Sequence, residues 1–166
     1  MLVKSYASLN AAQQQVQAEQ RRFADAPFYI SPEEDSGVLY FKVYAGLLRD
    51  TATAERLRER LLQSGAVDSD DTLGALSLIH RAHLAFDLGE FPTREAAAAA
   101  SDSLAAREVP AYAVPMPYDD GSRRWQLYGG AFRDSVAADA MRRRLTSAGV
   151  VPRLVLRMGE PAPAPQ

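Results

Sequence analysis

The chain has no cysteine, only two histidines and little excess charge of either sign. Without cysteine there can be no disulfide and no thiolate metal site. The formal net charge of −2 argues against general nucleic-acid binding, which needs a basic surface to neutralise phosphates. No apolar run approaches the roughly 20 residues of a membrane-spanning helix, so we expect no transmembrane segment. Polar side chains also interrupt residues 1–20, which therefore do not have the pattern of a signal peptide.

What the chain does contain is a repeat. Its 166 residues are 47% hydrophobic and 24% charged, which is ordinary globular composition with enough apolar side chain for a core. Three apolar strand-like segments each run into a glycine, at Gly46, Gly89 and Gly130. A period near forty residues is typical of repeated structural units rather than of a catalytic site. We therefore expect a non-catalytic protein with no catalytic residues and no cofactor.

The residues that follow each glycine predict a helix. Asp50, Thr93 and Asp134 stand at one offset after the glycines and are residue types that cap helices. Small and apolar residues then recur at steps of three and four, which places them on a single helix face. These residues are Ala54, Leu57 and Leu61, then Ala97, Ala100 and Leu104, then Ala138, Met141 and Leu145.

The predicted helices also end at the same distance in sequence from the three glycines. Gly65 and Gly149 end the first and third helices as the residue after the C-cap. Glu108 occupies the same offset in the second, where Pro110 stops the helix instead. The three glycines that precede the helices indicate a backbone requirement, such as a bulge or a close helix crossing.

These elements predict an α+β fold with three half-repeats. Residues 1–30 are interpreted as a polar helical arm, and residues 31–79 as an extra strand–helix–strand half-repeat whose returning strand falls within 73–79. Residues 80–158 have the order strand, helix, strand, strand, helix, strand, which is a split βαβ plan with one antiparallel sheet and two helices on one face. Residues 159–166 are a Pro/Ala tail that cannot fold alone.

The strand segments carry a family resemblance. The phrases Gly89-Glu90-Phe91 and Gly130-Ala131-Phe132, with the helix stripe and closing glycine that follow, resemble the SPOR domain family. The resemblance implies a ferredoxin-like module over residues 80–158 that binds the glycan strands of peptidoglycan on its open sheet face. The family often has Gln or Ser at the positions of Asp87 and Glu90, and two carboxylates there would repel the carboxylates of stripped glycan.

Strand alternation predicts which side chains occupy the open sheet face. If Phe41, Val43, Phe86 and Leu127 face the helices, the alternate residues face outwards. Aromatic and arginine side chains on such a face favour recognition, although a merely solvated face has a similar composition. The predicted binding residues are Tyr40, Lys42, Tyr44, His83, Asp87, Arg124, Gln126, Tyr128, Arg153 and Arg157.

Metal-binding patterns are weak. His80 and His83 would lie on opposite faces of a strand, so they are poor chelators. The acidic run that begins at Asp68 mimics the start of a calcium loop, but Leu73 and Ile79 occupy positions that such a loop reserves for glycine and glutamate. We expect no metal site.

Two functions remain. The first is a non-catalytic docking or scaffold protein, a membrane-extrinsic subunit that bridges other protein subunits of a bacterial membrane complex of respiratory or photosynthetic type. The alternative is a module of the cell envelope that binds peptidoglycan glycan strands. Both place the protein at the periphery of the inner membrane. It would lie on the cytoplasmic side if Met1 is the true start, and on the periplasmic side if an export signal precedes this chain.

Overall fold

The computed structural model describes residues 1–46, 48, 50–67, 79, 81–118 and 121–157. Over these ranges the chain is α+β, with two antiparallel sheets and four helices. No helix in the described ranges is long and apolar enough to cross a membrane. The predicted returning strand at 73–79 (apart from Ile79), the tail at 159–166, His80 and the acidic run at 68–71 lie outside the described residues.

The first sheet belongs to an N-terminal module, in which β3 lies between β1 and β2 and pairs antiparallel with both. Its elements are β1 (Leu2–Tyr6), α1 (Leu9–Arg22), β2 (Phe28–Asp35), β3 (Val38–Ala45) and α2 (Thr51–Gln63).

The second sheet belongs to a C-terminal module with the strand order β5-β6-β4-β7. Its elements are β4 (Leu84–Phe91), α3 (Arg94–Ala105), β5 (Tyr112–Pro117), β6 (Arg123–Phe132), α4 (Asp139–Ser147) and β7 (Leu154–Leu156). The predicted succession of strand, helix, strand, strand, helix and strand is present here.

The two modules follow the same plan, because the order β1-β3-β2 corresponds to β4-β6-β5. Residues 1–30 are therefore not an arm, since they supply β1, α1 and the start of β2. The sequence pattern did not reveal this unit, because polar residues stand at most of its repeat positions. Lys4 stands where the other units have glycine, and Glu19 where they have leucine. Gln15 stands where they have an apolar residue, which is Leu57, Ala100 or Met141. Only the cap Ser8 and the buried Ala12 match the repeat.

The predicted caps of α2 and α3 are confirmed, whereas α4 begins only at Asp139, with Ala138 as its N-cap and no side-chain cap. Asp50 accepts a hydrogen bond from the backbone N–H of Thr53 at 2.7 Å, and Thr93 accepts one from that of Ala96 at 3.1 Å. Asp134 caps the turn that leads into α4. The glycines before α2, α3 and the α4 turn all have positive φ, at 95°, 111° and 62°, so each requires a backbone conformation that side chains with a Cβ avoid.

The second helix ends in a less usual way. Gly65 and Gly149 follow α2 and α4 with φ of 69° and 73°, as expected for glycine in the left-handed region. Glu108 has φ of 59° after α3, although it carries a Cβ. A left-handed non-glycine residue costs about 1–2 kcal/mol, so this position is locally strained.

Each module has its own core between sheet and helices. Phe41 and Val43 are buried against α1 and α2 in the first module, and Phe86 and Leu127 are buried in the second. The predicted strand alternation is therefore confirmed at these four positions.

The modules join along β2 and β6. Strand β5 pairs with β6 as far as Tyr128, and beyond that point β2 approaches the backbone of β6. The hydroxyl of Ser31 donates to the carbonyl of Ala131 at 3.3 Å and accepts from its N–H at 3.2 Å. Ser31 is fully buried, so one side chain supplies what a neighbouring strand would otherwise supply.

Candidate functional site

A row of tyrosines lies at the junction of the two modules. The ring of Tyr29 stacks on that of Tyr44 with 5.6 Å between centroids, and it packs on Tyr112 at 5.0 Å. Tyr112 continues to Tyr128 at 6.2 Å. Such ring pairs contribute about 0.5–1.5 kcal/mol each beyond the area they bury. We call these four residues with Arg157 the tyrosine joint.

Arg157 ties the joint to the last strand. Its guanidinium lies 5.3 Å from the centre of the Tyr29 ring and donates to the hydroxyl of Tyr112 and to the carbonyl of Ala82. Burial raises the pKa of Tyr29 and of Tyr112, and Arg157 partly opposes both shifts. Burial, with Arg157, also lowers the pKa of the nearby Met1 amine to about 5.

Tyr44 connects the joint to a charged pair on the first sheet. Its hydroxyl donates to Glu33 at 2.7 Å, and Lys42 pairs with the same carboxylate at 3.3 Å. Burial and the charge of Glu33 raise the pKa of Tyr44. The phenols of Tyr29, Tyr44 and Tyr112 therefore stay neutral, and they act as packed and hydrogen-bonded groups.

The predicted sheet-face residues divide into two groups. Tyr44 and Tyr128 are buried, at 6% and 4% exposure, so they do not present their rings to an external ligand as the sequence suggested. Arg157 is held in the joint. The other members stay at or near the surface: Tyr40, Lys42, Asp87 and Gln126 are partly buried, and His83, Arg124 and Arg153 are exposed.

The acidic residues of β4 have partners on the same sheet. Asp87 accepts from the side chain of Gln126 at 2.7 Å and pairs with Arg153 at 3.6 Å. Glu90 accepts hydrogen bonds from Tyr118 and Arg124, which lower the pKa of its carboxyl group. Both carboxylates are therefore already paired on the sheet.

A hollow of about 290 Å³ lies on the first sheet near Tyr40 and Lys42. It also includes Ser5 and the turn at Asp35 and Ser36. It brings together two predicted binding residues, but the Lys42 ammonium is already paired with Glu33.

A cleft lies where the two modules meet, and we call it the seam cleft. It has a volume of about 560 Å³. One wall comes from Glu34 and Leu39 of the N-terminal module, and the other from Arg107, Glu108, Arg143 and Arg144 of the C-terminal module. Open clefts of this size between structural units are common ligand sites.

Sequence reasoning did not identify the seam cleft. Its arginines come from the end of α3 and from α4, which the repeat pattern marks only by their apolar faces. Two signals pointed towards it. Residues 121–157 contain eight arginines and two carboxylates, and Glu108 replaces the glycine found at its offset after α2 and α4.

The described part of the chain contains no group of three or more His, Asp or Glu side chains that could hold a metal ion. No family model, no curated protein and no solved structure matches this chain. The structure thus defines a two-module α+β protein whose modules share a buried joint.

Proposed function

We propose that this protein is a non-catalytic docking scaffold, a membrane-extrinsic subunit that bridges other subunits of a bacterial membrane complex of respiratory or photosynthetic type. The tyrosine joint is the observation that carries the proposal. Together with the bonds between Ser31 and Ala131, it fixes two modules that have separate cores. A fixed pair of modules can hold two partners at one distance and angle.

The repeated plan supports a finer description of the fold. We propose that both modules are SPOR-like, because each has a strand, a helix, two strands and a helix in that order, with a glycine of positive φ before α2, α3 and the α4 turn. Under this proposal the fold serves as a structural unit used twice.

Affinity purification tests the docking function. The tagged chain, expressed in the bacterium that encodes it, is recovered from membranes in a gentle detergent, and its partners are identified by mass spectrometry. We expect a stoichiometric set of membrane proteins. Recovery of the chain without stoichiometric partners would contradict the proposal.

Glycan binding is the second candidate, and the partners of Asp87 and Glu90 favour it. Since both carboxylates are paired with cations or hydrogen-bond donors, their repulsion of an anionic glycan is reduced. Arg124 and Arg153 are exposed beside them and would contact the ligand. Pelleting with purified sacculi should weaken in Arg124→Ala and Arg153→Ala. A wild-type protein that does not pellet would remove this candidate.

A further inference from the structure

We propose that the seam cleft is the docking site for an acidic peptide segment of a partner protein, and that Glu34 and Glu108 occupy it in the free protein. This inference rests on the proposed docking function and names its site and the chemistry of the partner. It starts from three guanidinium groups, those of Arg107, Arg143 and Arg144, which line one open cleft.

Two of these arginines are held in place by groups other than carboxylates. Arg107 donates to the carbonyl of Ala148 at 2.9 Å. Arg144 donates to the carbonyl of Glu108 at 3.0 Å, and its guanidinium lies 4.7 Å from the centre of the buried Phe41 ring. Backbone carbonyls and an aromatic face would therefore keep both guanidiniums in position if the neighbouring carboxylates moved away.

The resident carboxylates are weakly held. Glu108 pairs with Arg144 at 3.2 Å although its side chain is 75% exposed, and Glu34 pairs with Arg143 with both side chains largely exposed. Exposed ion pairs contribute little stability, so a partner with several carboxylates can displace them. Their presence also shows that side-chain carboxylates fit against these guanidiniums.

The backbone at Glu108 is the second, independent sign. Glycine follows α2 and α4 at the same offset, yet Glu108 adopts the same left-handed conformation with φ of 59°. Strain of this kind is typical of positions where a side chain has a role. Here that side chain reaches Arg144, so we infer that Glu108 competes with an incoming acidic segment.

Charge also favours an acidic partner. Within the described ranges Arg107 has no carboxylate partner, since its bonds go to the carbonyls of Ser103 and Ala148. The cleft therefore keeps an excess of positive charge with both resident glutamates in place. Leu39 adds an apolar surface for the stem of a glutamate side chain.

The test measures fluorescence anisotropy of a labelled peptide of alternating glutamate and serine, with a glutamine–serine peptide as the uncharged control. Glu108→Gln removes the competing charge but keeps a side chain with a Cβ at this left-handed position, whereas Glu108→Gly removes the charge and also the backbone strain. Both should bind the acidic peptide about fivefold more tightly. Arg144→Gln should bind it about tenfold more weakly.

Arg133→Gln is the matched control, because Arg133 is 74% exposed, pairs with the carboxylate of Asp134 at 3.2 Å and does not line the cleft. It should change affinity less than about twofold. Equal weakening by Arg133→Gln and Arg144→Gln would mean that only overall charge matters, and would overturn the proposal. So would Glu108 variants that bind no more tightly than the wild type, a result that misfolding of Arg144→Gln cannot imitate.

The same variants separate this inference from the general docking function. If wild-type protein recovers a stoichiometric partner set and Arg144→Gln loses it while remaining folded, both proposals stand. If Arg144→Gln keeps the complete set, the protein docks elsewhere and the seam cleft is not the site. If the wild type recovers no partners, the docking function itself fails, whatever the peptide assay gives.

Discussion

Replacing Glu19 with leucine should make the protein more stable. Glu19 lies on α1 at the offset that holds Leu61, Leu104 and Leu145 in the other helices, and it is only 2% exposed. Its carboxylate accepts from Gln15 at 2.8 Å and pairs with Arg22 at 3.1 Å. A charged group thus takes a core position that three equivalent helices fill with leucine.

The magnitude follows from what each side chain gains and loses. Burying a leucine side chain contributes about 1.5–3 kcal/mol. Gln15 loses one hydrogen bond, at a cost of about 1 kcal/mol. Arg22 loses its carboxylate but is 46% exposed and keeps its bond to the carbonyl of Ser64, so water can solvate it. We expect a net gain of about 1 kcal/mol, which is roughly 2–4 °C in Tm for a chain of this size.

Urea denaturation, monitored by circular dichroism, measures this change. If the slope of the unfolding free energy against urea concentration is unchanged, the unfolded state is not altered. Leu61→Glu is the inverse control. It places a carboxylate at a fully buried position without the partners of Glu19, and it should cost more than about 3 kcal/mol. If Glu19→Leu destabilised the protein by about 1 kcal/mol or more, the ion pair with Arg22 would be holding α1 in place, and the reasoning from the repeat would be refuted.

Three other changes test the backbone, the joint and its titration. Gly130→Ala should lower the free energy of unfolding by about 3 kcal/mol, because φ is 62° and a Cβ would overlap the buried Phe132 ring. Gly149→Ala, where φ is 73° and the space around the Cβ is open, should lower it by only about 1 kcal/mol, and equal losses in urea unfolding would contradict this. Ser31→Ala should lower the free energy of unfolding by about 2–3 kcal/mol, because both backbone groups of Ala131 lose their partner. Ser36 is exposed, so Ser36→Ala should be neutral by the same measurement. A neutral Ser31→Ala would show that the joint does not depend on these bonds. Because the pKa values of Tyr29, Tyr44 and Tyr112 are raised, stability should fall as pH rises above about 10, where these tyrosines ionise in the unfolded chain but not in the folded one. Ultraviolet titration that showed all tyrosines ionising together in the folded protein would contradict the burial argument.

The elements with an apolar stripe and a glycine before the helix could be predicted from the sequence, because strand alternation and helix caps are local properties. Asp50 and Thr93 cap the helices expected of them. The unit formed by β1 and α1 could not be predicted, because Gln15 and Glu19 make its buried face polar. Only the cap spacing, with Ser8 four residues before Ala12, is shared with the other units.

The predicted sheet-face residues show what strand alternation alone cannot predict. Alternation predicted correctly that Tyr44 and Tyr128 point away from the helices, but it says nothing about what covers that face. Tyr29 and Tyr112 come from strands far apart in the chain, and their contact depends on how the modules pack. The seam cleft is likewise a product of packing, so its residues could only be identified once the two modules were placed together.

The bonds between Ser31 and Ala131 join residues 100 positions apart, and this separation has a consequence for synthesis of the chain. While a ribosome makes the protein from its N-terminus, the first module emerges before β6 and Arg157 exist. Tyr29 can then stack on Tyr44 but has neither Tyr112 nor Arg157 to pack against, so the part of its ring that they cover meets water or another molecule. The nascent first module is therefore the form most prone to wrong association, and completion of the second module is the event that ends this exposure.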